Sequence, residues 1–193
     1  MESTLMGEGQ TTARSIADTP QVVYYVAASL DGFIATTDGS VEWLEPFEGS
    51  GEDYGYADFL AGVDGLLLGS RTYEQSLTFG QWPYAAKPAW IFSHRPIGAV
   101  QGVAVTDRTP AEVVAGAADR GLRRLWLVGG ASLAASFRSA GLITEYVVSV
   151  MPVVLGGGIP LFAGPGPRER LRLLDTTRYG DGVVQLRYAV RGP

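Results

Sequence analysis

Five short apolar segments, rich in Val, Ile, Leu and aromatic residues, constrain most strongly how this chain can fold. Near-continuous apolar runs of this length are typical of strands that are covered on both faces of a sheet. The five segments are Val22–Ala28, Gly65–Leu68, Ala89–Ser93, Leu125–Val128 and Tyr146–Val150. Segments with helical character lie between them, so strands and helices alternate along the chain. This alternation predicts an α/β fold whose central sheet is mostly parallel, with helices on both faces.

The start of one helix is specified in detail by the sequence. Thr109 and Glu112 form a capping-box pattern, and Pro110 stands at the first helical position. Near the C-terminus two further apolar segments flank the turn signal RYGDG, which predicts an antiparallel hairpin at the edge of the sheet. The predicted helices are Tyr54–Val63, Arg71–Thr78, Pro110–Arg120 and Ala131–Ala140, and the hairpin strands are Leu171–Thr177 and Val183–Val190.

The composition excludes several classes of function. The net charge of −5 disfavours a nucleic-acid or anionic membrane surface, which needs clustered lysine and arginine. The chain has no cysteine, which excludes disulfides and thiolate catalysis. Its single histidine, His94, excludes a metal site built from several histidines, and no metal is expected.

The length of 193 residues suits a single domain, which we expect at residues 21–191 after a flexible tail at residues 1–20. No apolar run approaches the roughly 20 residues that a membrane span requires. The first twenty residues contain acidic side chains and no long apolar stretch, unlike a signal peptide. We therefore expect a cytoplasmic protein that binds a small molecule, without nucleic acid or a membrane.

Two junctions at the ends of predicted strands combine glycine with charged residues. Open α/β sheets bind ligands at the carboxyl ends of their strands. Asp31 and Gly32 follow the first strand. They form either a plain turn or a loop that lies over a ligand, and this loop continues into a predicted lid at residues 38–44. Arg71 lies in the first turn of the second predicted helix, where a cation opposes the helix dipole. It is therefore expected to face an anion, unless it simply lies on a solvated face.

Two further junctions could hold phosphate groups. Ser93–Arg95 follows a buried strand and could form charge-assisted bonds to a phosphate, or be an ordinary polar loop. Gly129 and Gly130 separate the run LWLV from a helix, either because a tight turn tolerates no Cβ or because an anion approaches the helix N-terminus. A later glycine cluster, Gly156–Gly158, predicts a tight loop packed against the same site or an interface.

In order and spacing, five segments resemble the dihydrofolate reductase superfamily: VAASLDGFIA, LLLGSRTYE, WIFSHRP, LWLVGGASL and VMPVVLGGGIPLF. Within it they are most similar to the reductase domain of riboflavin biosynthesis and its stand-alone relatives. The resemblance implies a three-layer dihydrofolate reductase-like fold with a C-terminal antiparallel hairpin. It also implies NADPH as cofactor and hydride transfer to a small heterocyclic substrate with a carbon–nitrogen double bond, as in a riboflavin-type pyrimidine reductase or a folate reductase. The alternative is a nucleotide-binding module without catalysis on the same fold.

The resemblance also implies a cofactor site and an assembly. The glycine pair would admit NADPH, and Ser93–Arg95 would meet its adenosine 2′-phosphate. Arg71, Arg95 and His94 as cations, with no acidic residue placed for a free 2′-hydroxyl, favour NADP over NAD. A homodimer is expected, with apolar surface from VLGGGIPLF and the terminal hairpin. The expected cofactor contacts are Ala28, Ile34, Gly39, Gly69, Ser70, Arg71, Thr72, Ser93, His94, Arg95, Val128, Gly129, Gly130, Ala131, Ser132 and Leu133.

Two carboxylates are expected on the substrate side. Asp31 matches the aspartate that lies near the substrate in the riboflavin branch, and Asp53 matches by spacing the carboxylate that holds the pterin in folate-reducing members. A carboxyl group that acts as an acid near neutral pH needs a raised pKa, which burial provides. Asp31 is favoured because it directly follows a buried strand, and solvent water is the other possible proton source.

Overall fold

The computed structural model describes residues 19–191. Residues 1–18, most of the predicted tail, lie outside the described part of the chain, as do Gly192 and Pro193. The division into a tail and a domain therefore stays a prediction. No helix within residues 19–191 is both long enough and apolar enough to cross a membrane.

Strands and helices alternate through most of the described chain. The strands are β1 (Gln21–Ser29), β2 (Phe33–Ala35), β3 (Gly65–Gly69), β4 (Ala89–Phe92), β5 (Val103–Thr106), β6 (Arg124–Gly129), β7 (Glu145–Met151), β8 (Ile159–Pro160), β9 (Leu171–Arg178) and β10 (Val184–Val190). The helices are α1 (Glu45–Glu48), α2 (Tyr56–Ala61), α3 (Ser70–Thr78), α4 (Pro110–Asp119) and α5 (Ala131–Ser139), and a 3₁₀ turn covers Glu42–Leu44.

One central sheet organises these elements. In the described chain it has eight strands in the order β5-β4-β3-β6-β1-β7-β10-β9. The strands from β5 to β7 are parallel to their neighbours, and β10 is antiparallel to both β7 and β9. The predicted parallel sheet with a C-terminal hairpin at its edge is confirmed. A small antiparallel sheet of β2 and β8 lies apart from it.

The helices form the two outer layers of a three-layer fold. Side chains alternate across each buried strand, so Leu67 packs with α4 and α5, including Phe137, while Leu68 faces the other side. There it packs with Trp126 and with Tyr73 of α3, and α2 covers the same face. Helices on both faces explain why the strands are apolar throughout, and they confirm the dihydrofolate reductase-like architecture.

Every predicted strand and helix is present, with ends that differ by at most two residues. The largest difference is at α2, which begins at Tyr56 because Tyr54 and Gly55 adopt φ values of 54° and 73°. Such left-handed backbone does not continue into a helix. The sequence analysis missed β5, an edge strand whose Val105 is exposed, and it missed the two short strands of the small sheet. These strands are short, with four residues in β5, three in β2 and two in β8.

A buried carboxylate joins several strands at the amino end of the sheet. Glu145 of β7 accepts hydrogen bonds from Arg187 Nε of β10 at 2.6 Å and from Arg124 Nη2 of β6 at 3.5 Å. The hydrogen bond with Glu145 raises the pKa of Arg187. The buried charge of Glu145 is therefore compensated within the protein, at the opposite end of the sheet from the junctions described above.

Candidate functional site

The junctions predicted from sequence meet at the carboxyl edge of the sheet. Strand β3 lies between β4 and β6, with Gly69 paired to Phe92 and Leu68 paired to Gly129. The residues that follow these three strands are therefore neighbours, and β1 lies on the far side of β6. The predicted clustering of Arg71, Ser93–Arg95 and the glycine pair at one edge agrees with this sheet order.

The first turns of α3 and α5 lie against each other. A Cβ atom added to Gly130 would lie 3.2 Å from Thr72 Oγ1, and one added to Gly69 would lie 3.5 Å from the Gly130 nitrogen. Both distances join the β3–α3 junction to the β6–α5 junction. The two helix N-termini therefore lie side by side at the carboxyl edge of the sheet, and we call the space that they border the crevice.

Neither of these helix starts is capped. α3 and α5 have no side-chain cap and no acidic residue in the first turn. In α4, by contrast, Thr109 Oγ1 accepts a bond from the Glu112 nitrogen, and Glu112 Oε2 accepts one from the Thr109 nitrogen. Free N–H groups and the helix dipole attract anions. The crevice is thus suited to a phosphate group, whereas the start of α4 is already satisfied.

The two glycines of the pair meet different requirements. Gly129 has a φ of 120°, a conformation that side chains rarely adopt, so the tight-turn explanation holds there. Gly130 has an ordinary φ of −79°, and its missing side chain makes room for Thr72. The peptide bond between them is cis. At Gly130 the missing side chain therefore accommodates a neighbouring helix, α3, before any ligand is considered.

The cations beside the crevice differ in their partners. Arg71 is exposed in the first turn of α3, and its side chain has no hydrogen-bond or ion-pair partner among residues 19–191. Arg95 Nη2 donates to Glu74 of α3, and His94 is exposed. We expected no acidic residue placed for a free 2′-hydroxyl. Glu74 is an acidic residue that contacts Arg95, the arginine that the resemblance assigns to the 2′-phosphate.

Asp31 is bound by three donors instead of being buried. Its carboxylate accepts bonds from Ser29 Oγ at 2.7 Å, the Leu155 nitrogen at 3.1 Å and the Gly156 nitrogen at 2.8 Å. The hydrogen bond from Ser29, together with those from the backbone, lowers the pKa of Asp31. The expectation of a raised pKa is therefore wrong. Asp31 holds the glycine cluster against the β1–β2 turn as an ionised group.

The lid region, residues 30–44, contacts other parts of the fold at several points. β2 pairs with β8, and a Cβ on Gly158 would lie 2.2 Å from the Ala35 oxygen, so only glycine fits there. Gln75 Nε2 of α3 donates to the Gly39 oxygen at 3.0 Å. The glycine cluster therefore packs against the first junction, and the lid also contacts α3. Ala28 is buried beneath this region, and Ile34 is half-buried.

Asp53 lies at the start of α2, away from the glycine pair. Its two carboxylate oxygens accept bonds from the nitrogens of Gly55 at 2.9 Å and Ala57 at 3.2 Å. Burial raises the pKa of the neighbouring Tyr25 to about 12, and the charge of Asp53 adds to this shift. Asp53 is exposed and stabilises the first turn of α2, so neither predicted carboxylate is positioned as a buried acid.

Comparison with known proteins agrees with this geometry. Residues 20–185 match the family model of the RibD C-terminal domain. The uncharacterized protein YwjB of Bacillus subtilis (strain 168) is 40% identical over 172 residues, which is 87% of this chain and 97% of that protein. The chain belongs to the RibD C-terminal domain family. Family membership supports a reductase-like role, and the oxidoreductase class, for this chain.

Solved structures in and around the RibD family have the same architecture. A protein from Shewanella sp. PV-4 that bears a provisional riboflavin-biosynthesis name superimposes with a TM-score of 0.81 at 28% identity, covering 89% of this chain and 99% of that one. A deaminase/5-amino-6-(5-phosphoribosylamino)uracil reductase from Thermotoga maritima superimposes with a TM-score of 0.69. It is 13% identical, and the match covers 90% of this chain and 57% of that one. This second likeness concerns the fold alone.

Sequence reasoning missed a group of polar contacts that join β10, β7 and β1. Gln185 Nε2 of β10 donates to the Tyr54 oxygen and to Ser149 Oγ of β7, both at 3.0 Å, beside Tyr25 of β1. These partners come from distant parts of the sequence, so no local pattern indicates them. Glu74 was detectable, since it stands three residues after Arg71 on a predicted helix, where side chains share a face.

The contact at Gly130 predicts a stability difference between two glycine sites. Gly130→Ala should destabilise the fold by about 1 kcal/mol or more, because the new Cβ is forced against Thr72. Gly116→Ala is the matched control, since α4 has open space there and alanine should stabilise it by about 0.5–1 kcal/mol. Urea unfolding of both variants measures the difference. Stabilisation by Gly130→Ala would contradict the contact.

The bonds to Asp31 predict a pH-dependent loop. Because the pKa of Asp31 is lower in the folded protein, its carboxylate stabilises the fold at pH values above its ordinary pKa of 3.8. This contribution is lost as the pH falls through the lower pKa of the folded state. Asp31→Ala should therefore accelerate hydrogen exchange at Leu155 and Gly156 at neutral pH, while β1 keeps its protection. Asp58→Asn serves as the control. Unchanged exchange in Asp31→Ala would disprove the holding role.

Proposed function

We propose that this chain is an NADPH-dependent reductase that transfers a hydride to a carbon–nitrogen double bond of a small heterocycle, in the manner of a pyrimidine reductase. The observation that carries the proposal is the crevice between α3 and α5, where two helix N-termini without side-chain caps lie so close that a Cβ on Gly130 would lie 3.2 Å from Thr72 Oγ1. Such a pair of anion-binding termini suits a pyrophosphate. The RibD family match supports the same cofactor class.

The residues around the crevice fit a dinucleotide. Backbone N–H groups of Arg71 and Thr72 on α3, and of Ser132 and Leu133 on α5, are first-turn donors for the pyrophosphate. Arg71 adds a cation that has no partner among the described residues. Ser93–Arg95 lies at the end of the adjacent strand β4, at the position expected for the 2′-phosphate. NADPH, when bound, supplies the hydride.

The chain's contribution to the reaction is orientation more than proton donation. Asp31, ionised and bound by three donors, fixes the lid that borders the reacting end of the site. Both oxygens of Asp53 accept backbone bonds from α2. We therefore propose solvent water as the proton source, with the substrate placed against the carboxyl end of β1, where Ala28 contributes no bulk.

A second function has its own supporting observation. Neither Asp31 nor Asp53 is a buried acid. The absence of a buried acid at these two positions is expected of a nucleotide-binding module without catalysis. NADPH oxidation followed at 340 nm with 5-amino-6-(5-phosphoribosylamino)uracil, and with a panel of cyclic imines, distinguishes the two. Turnover of any of these substrates supports the reductase. Tight NADPH binding without turnover supports the binding module.

Arg71 provides the test of the cofactor assignment. Losing a charge-assisted contact to a phosphate costs about 1.5–3 kcal/mol, so Arg71→Ala should weaken NADPH binding at least about tenfold and NADH binding much less. Calorimetric titration of both cofactors measures this. Arg178→Ala, on the far edge strand β9, is the matched control. Equal losses for NADPH and NADH would remove Arg71 from the 2′-phosphate site, and no NADPH binding by the unmutated protein would refute the assignment.

We also propose a homodimer, as the sequence suggested. Three leucines of the edge strand β9 are exposed: Leu171 by 37%, Leu173 by 52% and Leu174 by 36%. An exposed apolar edge strand invites association. Leu174 lies at a bulge in the pairing with β10, which disfavours extension of the sheet and favours side-chain packing between two copies.

Light scattering should therefore give twice the chain mass of 20.5 kDa at micromolar concentration. Leu173→Arg should shift the protein toward monomer, because it places a charge in the apolar contact. Phe79→Arg is the control, since Phe79 is 72% exposed at the end of α3 and lies outside β9. A monomer before mutation, or equal dissociation by both variants, would reject this interface.

A further inference from the structure

We propose that Glu74 sets how strongly this protein discriminates NADPH from NADH, by competing with the 2′-phosphate for Arg95. The inference rests on the proposed function and adds a specificity-determining residue to that site. Glu74 is the carboxylate that the structure places beside the cations of the crevice. It weakens the binding of the phosphorylated cofactor and favours the cofactor with a free 2′-hydroxyl.

The placement of Glu74 follows from two elements. α3 carries Arg71 in its first turn and Glu74 three residues later, so the two side chains lie on the same helical face. The turn after β4 is closed by Ser93 Oγ, which donates to the Arg95 oxygen at 2.7 Å and accepts from the Arg95 nitrogen at 3.2 Å. This closed turn directs Arg95 toward α3, where its Nη2 contacts Glu74 Oε2.

The exposure of the pair makes it exchangeable. The side chain of Arg95 is 55% exposed and that of Glu74 is 43% exposed. Ion pairs in such solvent contact contribute little to stability. A phosphate, by contrast, offers arginine a bidentate and more highly charged partner. Arg95 can therefore leave Glu74 for a 2′-phosphate without disturbing the fold.

After this exchange the carboxylate still acts on the ligand. Glu74 remains on α3 near the bound phosphate, and like charges at that distance repel. A ribose with a free 2′-hydroxyl meets no such repulsion, because a hydroxyl can donate a hydrogen bond to a carboxylate. Glu74 thus weakens the binding of NADPH and not that of NADH. The difference in affinity between the two cofactors is therefore smaller than the three cations alone would produce.

The experiment compares ligands that differ only at the 2′ position. NADPH and NADH, and the fragments adenosine 2′,5′-bisphosphate and 5′-AMP, are titrated against the full chain and against Glu74→Gln. Glu74→Gln should raise the ratio of the NADH to the NADPH dissociation constant by about fivefold, the upper range for an exposed charge pair. The fragment pair should show the same change. Arg95→Gln in the Glu74→Gln background should abolish the gain.

Asp107→Asn is the matched control, because it removes the same charge just after β5, the strand next to β4. It should leave the ratio unchanged. If the unmutated protein binds NADPH but Glu74→Gln alters both cofactors equally, or no more than Asp107→Asn does, the role of Glu74 is overturned and the proposed function stands. If the unmutated protein binds neither cofactor, both are overturned.

Discussion

The close contact between Gly130 and Thr72 is the constraint on which the candidate site depends. It brings the starts of α3 and α5 together across two adjacent parallel strands, β3 and β6. Without a side chain at Gly130 the two helices can point their free N–H groups into one crevice, and neither helix uses a side-chain cap. Cations after β3 and β4 then lie along the same edge. The proposed anion site thus depends on packing between helices more than on any single loop.

Charged side chains have different partners and different exposure at the two ends of the sheet. At the amino end, Glu145 has only 8% of its side chain exposed, and its buried charge is compensated by Arg124 and Arg187. At the carboxyl end, Arg71 is exposed without a described partner, and Arg95 has only the solvated Glu74. Charges that remain in water are available for exchange with a ligand, which is why we propose the ligand site at this end.

The lid is joined by hydrogen bonds to the glycine cluster and to α3. Asp31 accepts bonds from backbone groups more than 120 residues later in the chain, and Gln75 links the lid to α3. The loop after β1, the glycine cluster after β7 and the helix that begins the anion site are therefore joined. This arrangement explains why a carboxylate expected to act as an acid is instead held in its ionised form.

The sequence by itself determined the layers of this protein, because apolar runs covered on both faces and a complete capping box at Thr109 are local patterns that report burial and helix starts directly. It also indicated the four junctions, since glycine and charge at strand ends are visible residue by residue. Only the tertiary structure decided what those residues do. Asp31 holds the lid through a hydrogen bond from the nitrogen of Leu155, which lies 124 residues away in the sequence. Glu74 contacts Arg95, which lies 21 residues away. A side chain's pKa and charge partner depend on such distant neighbours, which no local spacing specifies.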